Sequence, residues 1–319
     1  FLHDIYHDQE ILKAGIVPAQ QVLTHEAYLP QMLGHHLKGG IYSQISGIDI
    51  IRDREGEFYV LEDNLRTPSG VSYMLESRKI SQKLMPDLCQ SNHVLAIEQY
   101  PQLLKQILAE SAYVDNPFIV VLTPGRFNSA YYEHSFLARE MDVPLVSARD
   151  LFVENDKVYV RTLRGRQQVD VIYRRVDDAF LDPLCFKADS TLGVAGLMSA
   201  YLAHNVVISN APGTGVADDK SIYPYVDKMI EYYLNEKPML KNVPTYQCRE
   251  HNALEYVLEN LEKLVVKEAQ GSGGYGMLIG PQASQKEIEL FRKKLLATPH
   301  AYIAQPTLDL SVCPTLTHD

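Results

Sequence analysis

The 319 residues carry 30 Lys and Arg against 40 Asp and Glu, a net charge of −10, with 46% hydrophobic and 22% charged residues. That length supports two or three packed units around a substantial core. The acidic balance, with no long Lys/Arg run, speaks against a nucleic-acid binder, which needs a basic face. Four widely spaced cysteines (Cys89, Cys185, Cys248, Cys313) form no CxxC pair, a pattern of reduced thiols rather than a disulfide framework or zinc knuckle. No signal peptide and no long apolar stretch is visible, so a cytoplasmic protein without a membrane partner is expected. The chain opens on Phe1 and stops at Asp319 in a polar run, which suggests a piece of a longer polypeptide, cut within its last unit.

Three zones follow one another. In residues 1–90, segments 41–53 and 57–64 read as antiparallel strands joined at Arg54-Glu55-Gly56, and 71–85 has helical spacing. Residues 91–215 alternate helices at 93–111, 128–141 and 192–203 with strands at 118–122, 145–146, 158–162, 169–174 and 206–208. Such alternation predicts a small α/β unit with a mainly parallel sheet. Residues 216–319 predict helices at 218–234, 253–261 and 285–296. Their strands fall at 264–269, 277–279 and 301–305, with a glycine-rich loop between the first two.

The hairpin concentrates oxygen donors. Side chains two apart on a strand share a face, so Glu62 and Asn64 project together while Asp63 points away, and antiparallel pairing brings Asp49 alongside Glu62. Two carboxylates and an amide suit Mg²⁺, which keeps waters and phosphate oxygens as its other ligands; a solvated acidic face is the plain alternative. Arg66 follows, within reach of a transferring phosphoryl group or of a surface ion pair.

Gly271-Ser272-Gly273-Gly274-Tyr275-Gly276 matches GxGxxG, but a strand rather than a helix follows it, which removes the dinucleotide-fold reading. A strand–loop–strand arrangement points instead to a flap whose N–H groups close over phosphates, or to a mobile surface hairpin. Lys267, on an otherwise apolar strand, needs an anionic partner or a route to water. Lys220, after Asn210-Ala211-Pro212-Gly213-Thr214-Gly215 and at the start of the 218–234 helix, is a second phosphate candidate. Tyr173-Arg174-Arg175 at a strand end, with Arg126 after Thr123-Pro124-Gly125, suggests substrate carboxylate binding; ion pairs of the arginines with Asp177 and Asp178 are the competing reading. The paired histidines His3/His7 and His35-His36 lack a third ligand pattern, and no nucleophile signature is present.

These pieces, in this order, resemble the circularly permuted ATP-grasp family, type 2, related to glutathionylspermidine synthetases. The likeness rests on Gly47-Ile48-Asp49 through Leu65-Arg66, on 210–220, on Val266-Lys267 with 271–276, and on Ala304-Gln305-Pro306; ordinary ATP-grasp enzymes place the lid lysines before the metal ligands. The resemblance implies an α/β (α+β) ATP-grasp fold in permuted order. Residues 1–90 would be its metal-binding part, 91–215 an inserted small α/β substrate domain, and 216–319 a truncated ATP lid.

It further implies Mg²⁺ on Asp49, Glu62 and Asn64, catalytic Arg66, and ATP phosphates on Lys220, Lys267 and the glycine loop. Gln305 would meet adenine, and Tyr173, Arg174 and Arg175 would face substrate. The implied activity is ATP- and Mg²⁺-dependent joining of a small-molecule or peptide-like carboxylate to an amine through an acylphosphate. The rivals are a non-catalytic nucleotide-binding or regulatory module and a kinase that stops at phosphoryl transfer. No amidase domain of the bifunctional synthetases accompanies the resemblance.

Overall fold

The computed structural model describes residues 1–270 and 276–315. The hairpin consists of β1 (Gly47–Arg52) and β2 (Phe58–Asn64). The middle of the chain supplies β3 (Ile119–Leu122), β4 (Leu145–Val146), β5 (Leu151–Glu154), β6 (Lys157–Thr162), β7 (Gly165–Val169), β8 (Val171–Arg174) and β9 (Val207–Ser209). The last third adds β10 (Lys241–Asn242), β11 (Tyr246–Gln247), β12 (Leu264–Glu268), β13 (Leu278–Ile279) and β14 (Tyr302–Pro306).

Among the described residues the strands form four sheets: β1-β2-β10, β4-β3-β8-β9, β5-β6-β7 and β11-β14-β12-β13. The β4-β3-β8-β9 sheet is wholly parallel, as the strand–helix alternation predicts. Its strands β3, β8 and β9 are rich in β-branched residues and buried on both faces, as parallel sheets require. Val120, Leu122, Ile172 and Ile208 point into one apolar core, and Ile119, Val121, Val171, Tyr173 and Val207 into another. The first of these cores also takes Ile5, Tyr6 and Met32 from the N-terminal helices and Val216, Ile222 and Met229 from beyond β9. All three sequence zones therefore share one core. A third core lies under β12 and β14, where Leu264, Val266 and Ala304 pack on Leu261, Phe291 and Leu295.

Several expected elements differ, each for a local reason. β1 begins at Gly47 rather than at 41, because residues 44–45 spend their backbone on Asn210: its Oδ1 accepts from Gln44 N and Ile45 N, and its Nδ2 donates to Ile45 O. The single strand expected at 169–174 is two, in different sheets, divided at Asp170, whose carboxylate accepts from Phe118 N at 2.8 Å. β5 and β7 had too little apolar alternation to be read.

The helix expected over 218–234 is also corrected. 3₁₀ turns at Thr214–Asp218 and Tyr223–Tyr225 precede a helix at Val226–Leu234, since Pro224 has no N–H to donate to the carbonyl four residues before it. Lys220 consequently sits on irregular backbone, not at a helix start. No helix among the described residues is long and apolar enough to cross a membrane.

Candidate functional site

The hairpin, the segment around Lys220 and the β12/β14 ladder converge on one group of charged side chains. The register sets Asp49 opposite Glu62 and Gly47 opposite Asn64. Ile50 then pairs with Val60, leaving Leu61 as a bulge residue, a device that re-aims neighbouring side chains. The Asn64 amide donates to Asp49 Oδ1 at 3.5 Å. Lys220 Nζ lies 3.1 Å from Glu62 Oε2, and Lys220 N donates to Ala269 O at 3.1 Å, tying this segment to the end of β12. On the face of β12 turned away from the apolar core, Lys267 Nζ donates to Gln305 Oε1 at 3.0 Å, and Gln305 Nε2 donates to Thr245 Oγ1 at 2.9 Å.

The electrostatics follow from this crowding. Burial pushes the Asp49 carboxyl up and Glu62 beside it adds to the rise, while Lys220 and Lys267 pull it back. Burial pushes the Lys267 ammonium down and Lys220 adds to that, opposed by Glu62 and Asp49. Two carboxylates and two ammonium groups thus stand within electrostatic reach of one another, partly withdrawn from water, and protonation equilibria shifted in this way cluster at functional sites. On the opposite pleat, Asp63 is also pushed up, by burial first and then by Glu62 and Asp49. It lines a separate, mainly apolar cavity of about 470 Å³ with Phe1, Ile48 and Met229.

Among the described residues no group of three or more His, Cys, Asp or Glu side chains is placed to hold a metal ion. The hairpin's donor set is two carboxylates and one amide, whose oxygen reaches the same side if the amide turns over. Magnesium, content with few protein ligands, suits that set. Two of the paired histidines stack ring on ring with another histidine: His3 on His7 with centroids 4.2 Å apart, and His35 on His204 at 4.7 Å.

Arg66 lies beside this cluster. Its Nε is 3.4 Å from Asp177 Oδ1 and 3.5 Å from Asp218 Oδ2, and Asp218 Oδ1 also accepts from the backbone N–H of Leu65 and Arg66 at 2.5 and 3.0 Å. Burial pushes the Asp218 carboxyl up to about 6, against those two backbone donors and Arg66. The 210–215 turn explains its own composition. Gly213 has φ +86°, and a Cβ there would meet Tyr6 Oη at 2.4 Å; a Cβ on Gly215 would meet Ala27 Cβ at 3.0 Å and Arg66 Cδ at 3.3 Å. Asn210 closes the base of the hairpin, donating to Leu65 O at 2.6 Å as well as to Ile45 O.

Of the two readings of the paired arginines, the ion pair holds for Arg174. It is wholly buried, with Nη1 2.7 Å from Asp178 Oδ1 and the other nitrogens donating to Asn210 O and Ala211 O at 2.8 and 3.0 Å. A guanidinium so committed offers nothing to a ligand, which corrects the expectation that Arg174 faces a substrate carboxylate. Tyr173 is buried too, accepting from Arg175 Nη1 at 2.9 Å. Arg175 Nη2 donates to Thr67 O at 3.2 Å and lies 3.8 Å from Glu133 Oε1, so the pair fastens the loop after Arg66 to the parallel sheet. Arg126 stands elsewhere, on a cavity beyond the ends of β3 and β4.

Gly271, Ser272, Gly273, Gly274 and Tyr275 lie outside the described residues. Gly276, with φ +68°, is packed so that a Cβ would meet Glu268 Oε1 at 2.6 Å.

Sequence reading missed the flanking pair. Asp218 holds the hairpin exit, and Asp219 holds His25, whose Nε2 is 2.5 Å from Asp219 Oδ2. Burial raises the Asp219 carboxyl, but the hydrogen bonds from His25 and Ser221 outweigh it and the net shift is downward. The run Asp218-Asp219-Lys220 was the available signal; nothing local marks His25.

The model of the family described as "Circularly permuted ATP-grasp type 2" matches residues 1–319. An uncharacterized protein of Mycobacterium tuberculosis is 51% identical over 317 residues, covering 99% of this chain but 58% of that protein. The chain therefore spans little more than half the length of this curated relative. A protein of Frankia casuarinae, provisionally named glutamate–cysteine ligase 2-2, is 41% identical over 320 residues, 99% of this chain and 37% of that protein. Among solved structures, a glutathione synthetase-like effector from Globodera pallida superposes with a TM-score of 0.55 at 11% identity, over 97% of this chain and 68% of that one, which is a likeness of fold. The chain belongs to the circularly permuted ATP-grasp type 2 family, and its α/β architecture is the fold of that family.

Proposed function

We propose that this chain is the nucleotide-binding and acid-activating part of an ATP- and Mg²⁺-dependent carboxylate–amine ligase working through an acylphosphate. The observation that supports this best is the pairing of Lys220 with Glu62 beside Asp49 and Lys267. Ammonium groups from two segments face the hairpin carboxylates. A triphosphate bound there would take the lysines, and Mg²⁺ would take Asp49, Glu62 and Asn64. When bound, the ion would neutralise β- and γ-phosphate charge. Backbone N–H groups of residues 271–276 are assigned to the same phosphates on glycine content alone, and Gln305 to the adenine side. In this reading 1–90 is the metal-binding part, 91–215 the substrate part and 216–319 the lid.

The substrate's carboxylate oxygen attacks the γ-phosphorus as the bond to the ADP oxygen breaks, and Arg66 offsets charge on the moved phosphoryl group. The amine nitrogen then attacks the acyl carbon, the C–O bond to phosphate breaks, and the nitrogen loses a proton, leaving amide, ADP and phosphate. The Frankia relative's name, a ligase of an amino acid to an amino acid, supports amide formation over arrest at phosphoryl transfer. The test is ADP release with Mg²⁺ and a panel of carboxylic acids, with hydroxylamine present to trap acylphosphate as hydroxamate. Hydroxamate that depends on both acid and ATP is expected. If calorimetry on the intact protein shows no MgATP binding, the reading fails.

A further inference from the structure

The parallel sheet ends in a second cavity, of about 600 Å³, lined by Thr123, Arg126, Phe127, Ser147, Arg149 and Asp150 among others. It lies beyond the carboxyl ends of β3 and β4, where Thr123 N donates to Val146 O at 2.9 Å. The crevice outside the carboxyl ends of parallel strands is where open α/β sheets bind ligands.

Its charge is unusual for so acidic a chain. Among the described residues neither Arg126 nor Arg149 has a carboxylate within ion-pair distance. The acid in the lining, Asp150, is already committed: its Oδ2 accepts from Ser147 N at 2.8 Å and Ser147 Oγ at 2.6 Å. Beside the guanidinium of Arg126, at 5.0 Å from its ring centroid, stands Phe127, 93% exposed. An aromatic ring left in water beside one unpaired guanidinium, with a second lining the same cavity, is a surface that gains from being covered by an anionic ligand with an apolar body.

The cavity is also mechanically joined to the metal hairpin. The loop after Arg66 docks on the helix Tyr131–Glu140, whose Glu133 Oε2 accepts from Gly70 N at 2.7 Å, Ser72 N at 3.0 Å and Ser72 Oγ at 2.9 Å. The first residue of that helix, Tyr131, lines the cavity. Arg175 N donates to Leu122 O at 2.8 Å while its guanidinium holds Thr67 O.

We infer that this cavity anchors a second carboxylate of the acid to be activated, with Arg126 and Arg149 as its partners, so that the substrate is a diacid or an amino acid with a free carboxylate at its far end. This rests on the ligase reading above. It goes beyond it in stating which acids are chosen and by what.

Calorimetry on the full-length protein would use succinate, glutarate and adipate, with butyrate as monoacid control and inorganic phosphate as a separate anion. At least one diacid is expected to bind about tenfold or more tightly than butyrate, the scale of one charge-assisted contact. Arg126→Ala and Arg149→Ala should each remove most of that advantage, and Arg→Lys should restore part of it. Binding of a non-hydrolysable MgATP analogue should be unchanged in these variants. Equal or absent binding of diacids and butyrate, unaltered diacid binding in both alanine variants, or phosphate binding in place of every diacid would each overturn the inference. Loss of analogue binding by the wild type overturns the ligase reading instead, and leaves the diacid comparison standing on its own.

Discussion

The ammonium of Lys220 stands 3.1 Å from the carboxylate of Glu62, both side chains largely withdrawn from water. One contact therefore joins the hairpin to the segment that Ala269 ties to β12. A charge pair at this depth gains from mutual attraction but loses hydration on both sides, so it adds little net stability by itself.

Glu62→Gln follows directly. The isosteric amide keeps the packing and removes one oxygen charge, so nucleotide-dependent ADP formation should fall on the order of 100-fold. Thermal unfolding should change little by comparison. Activity at wild-type level in the variant would remove Glu62 from the site.

Lys267→Met separates binding from folding. The ammonium is held down by burial and by Lys220, so replacing it with an apolar chain of similar length should leave stability equal or raised. The affinity for a MgATP analogue should drop about tenfold or more. A variant that is destabilised yet binds nucleotide normally would make Lys267 a structural residue.

Asp218 sets a pH dependence. Its carboxyl is raised to about 6, by burial before all else, above the 3.8 of the free group. Between those values the folded state holds a proton that the unfolded state has lost, so this group's contribution falls as pH rises from about 4 through about 6. Asp218→Asn keeps an acceptor for Leu65 N and Arg66 N without the titration. The stability difference, variant minus wild type, should therefore grow across that window and level off above it. Denaturant unfolding at a series of pH values reads this; a flat difference would refute it.

Arg174 is predicted to matter for folding. Arg174→Ala leaves Asp178 buried without its cation and strips the donors from Asn210 O and Ala211 O. The expected loss is about 3–5 kcal/mol, read by chemical denaturation. Replacing both partners, with Arg174→Met and Asp178→Leu together, should recover part of it, because no unpaired charge remains.

Much of the candidate site's geometry was legible because its signals are local. The two-residue period of a strand places Glu62 and Asn64 on one face and Asp63 on the other, and a short turn brings Asp49 opposite Glu62. The same period separates Lys267 from the apolar face of Val266. Irregular backbone was harder to read. Lys220 looked like a helix start because nothing in 218–222 forbids helix, whereas the Asp218 and Asp219 side chains bind Leu65 and His25, residues remote in the chain.

The arginines show the same division from the other side. That Arg174 and Arg175 stand at a strand end was plain from sequence, but whether a guanidinium meets a ligand or a carbonyl depends on what folds over it. Here the 210–214 turn closes on Arg174, while Arg126 faces an open cavity. By itself the order of residues determined the oxygen-rich hairpin and the apolar parallel strands, which depend on spacings of a few residues, and the placing of Lys220 and Lys267 after Asp49 and Glu62, which is order along the chain alone. Only the tertiary structure decided that Lys220 reaches Glu62, that Arg174 is a strut, and that the N-terminal helices share the parallel sheet's core. Those facts depend on contacts across long stretches of chain, and burial, not local spacing, determines them.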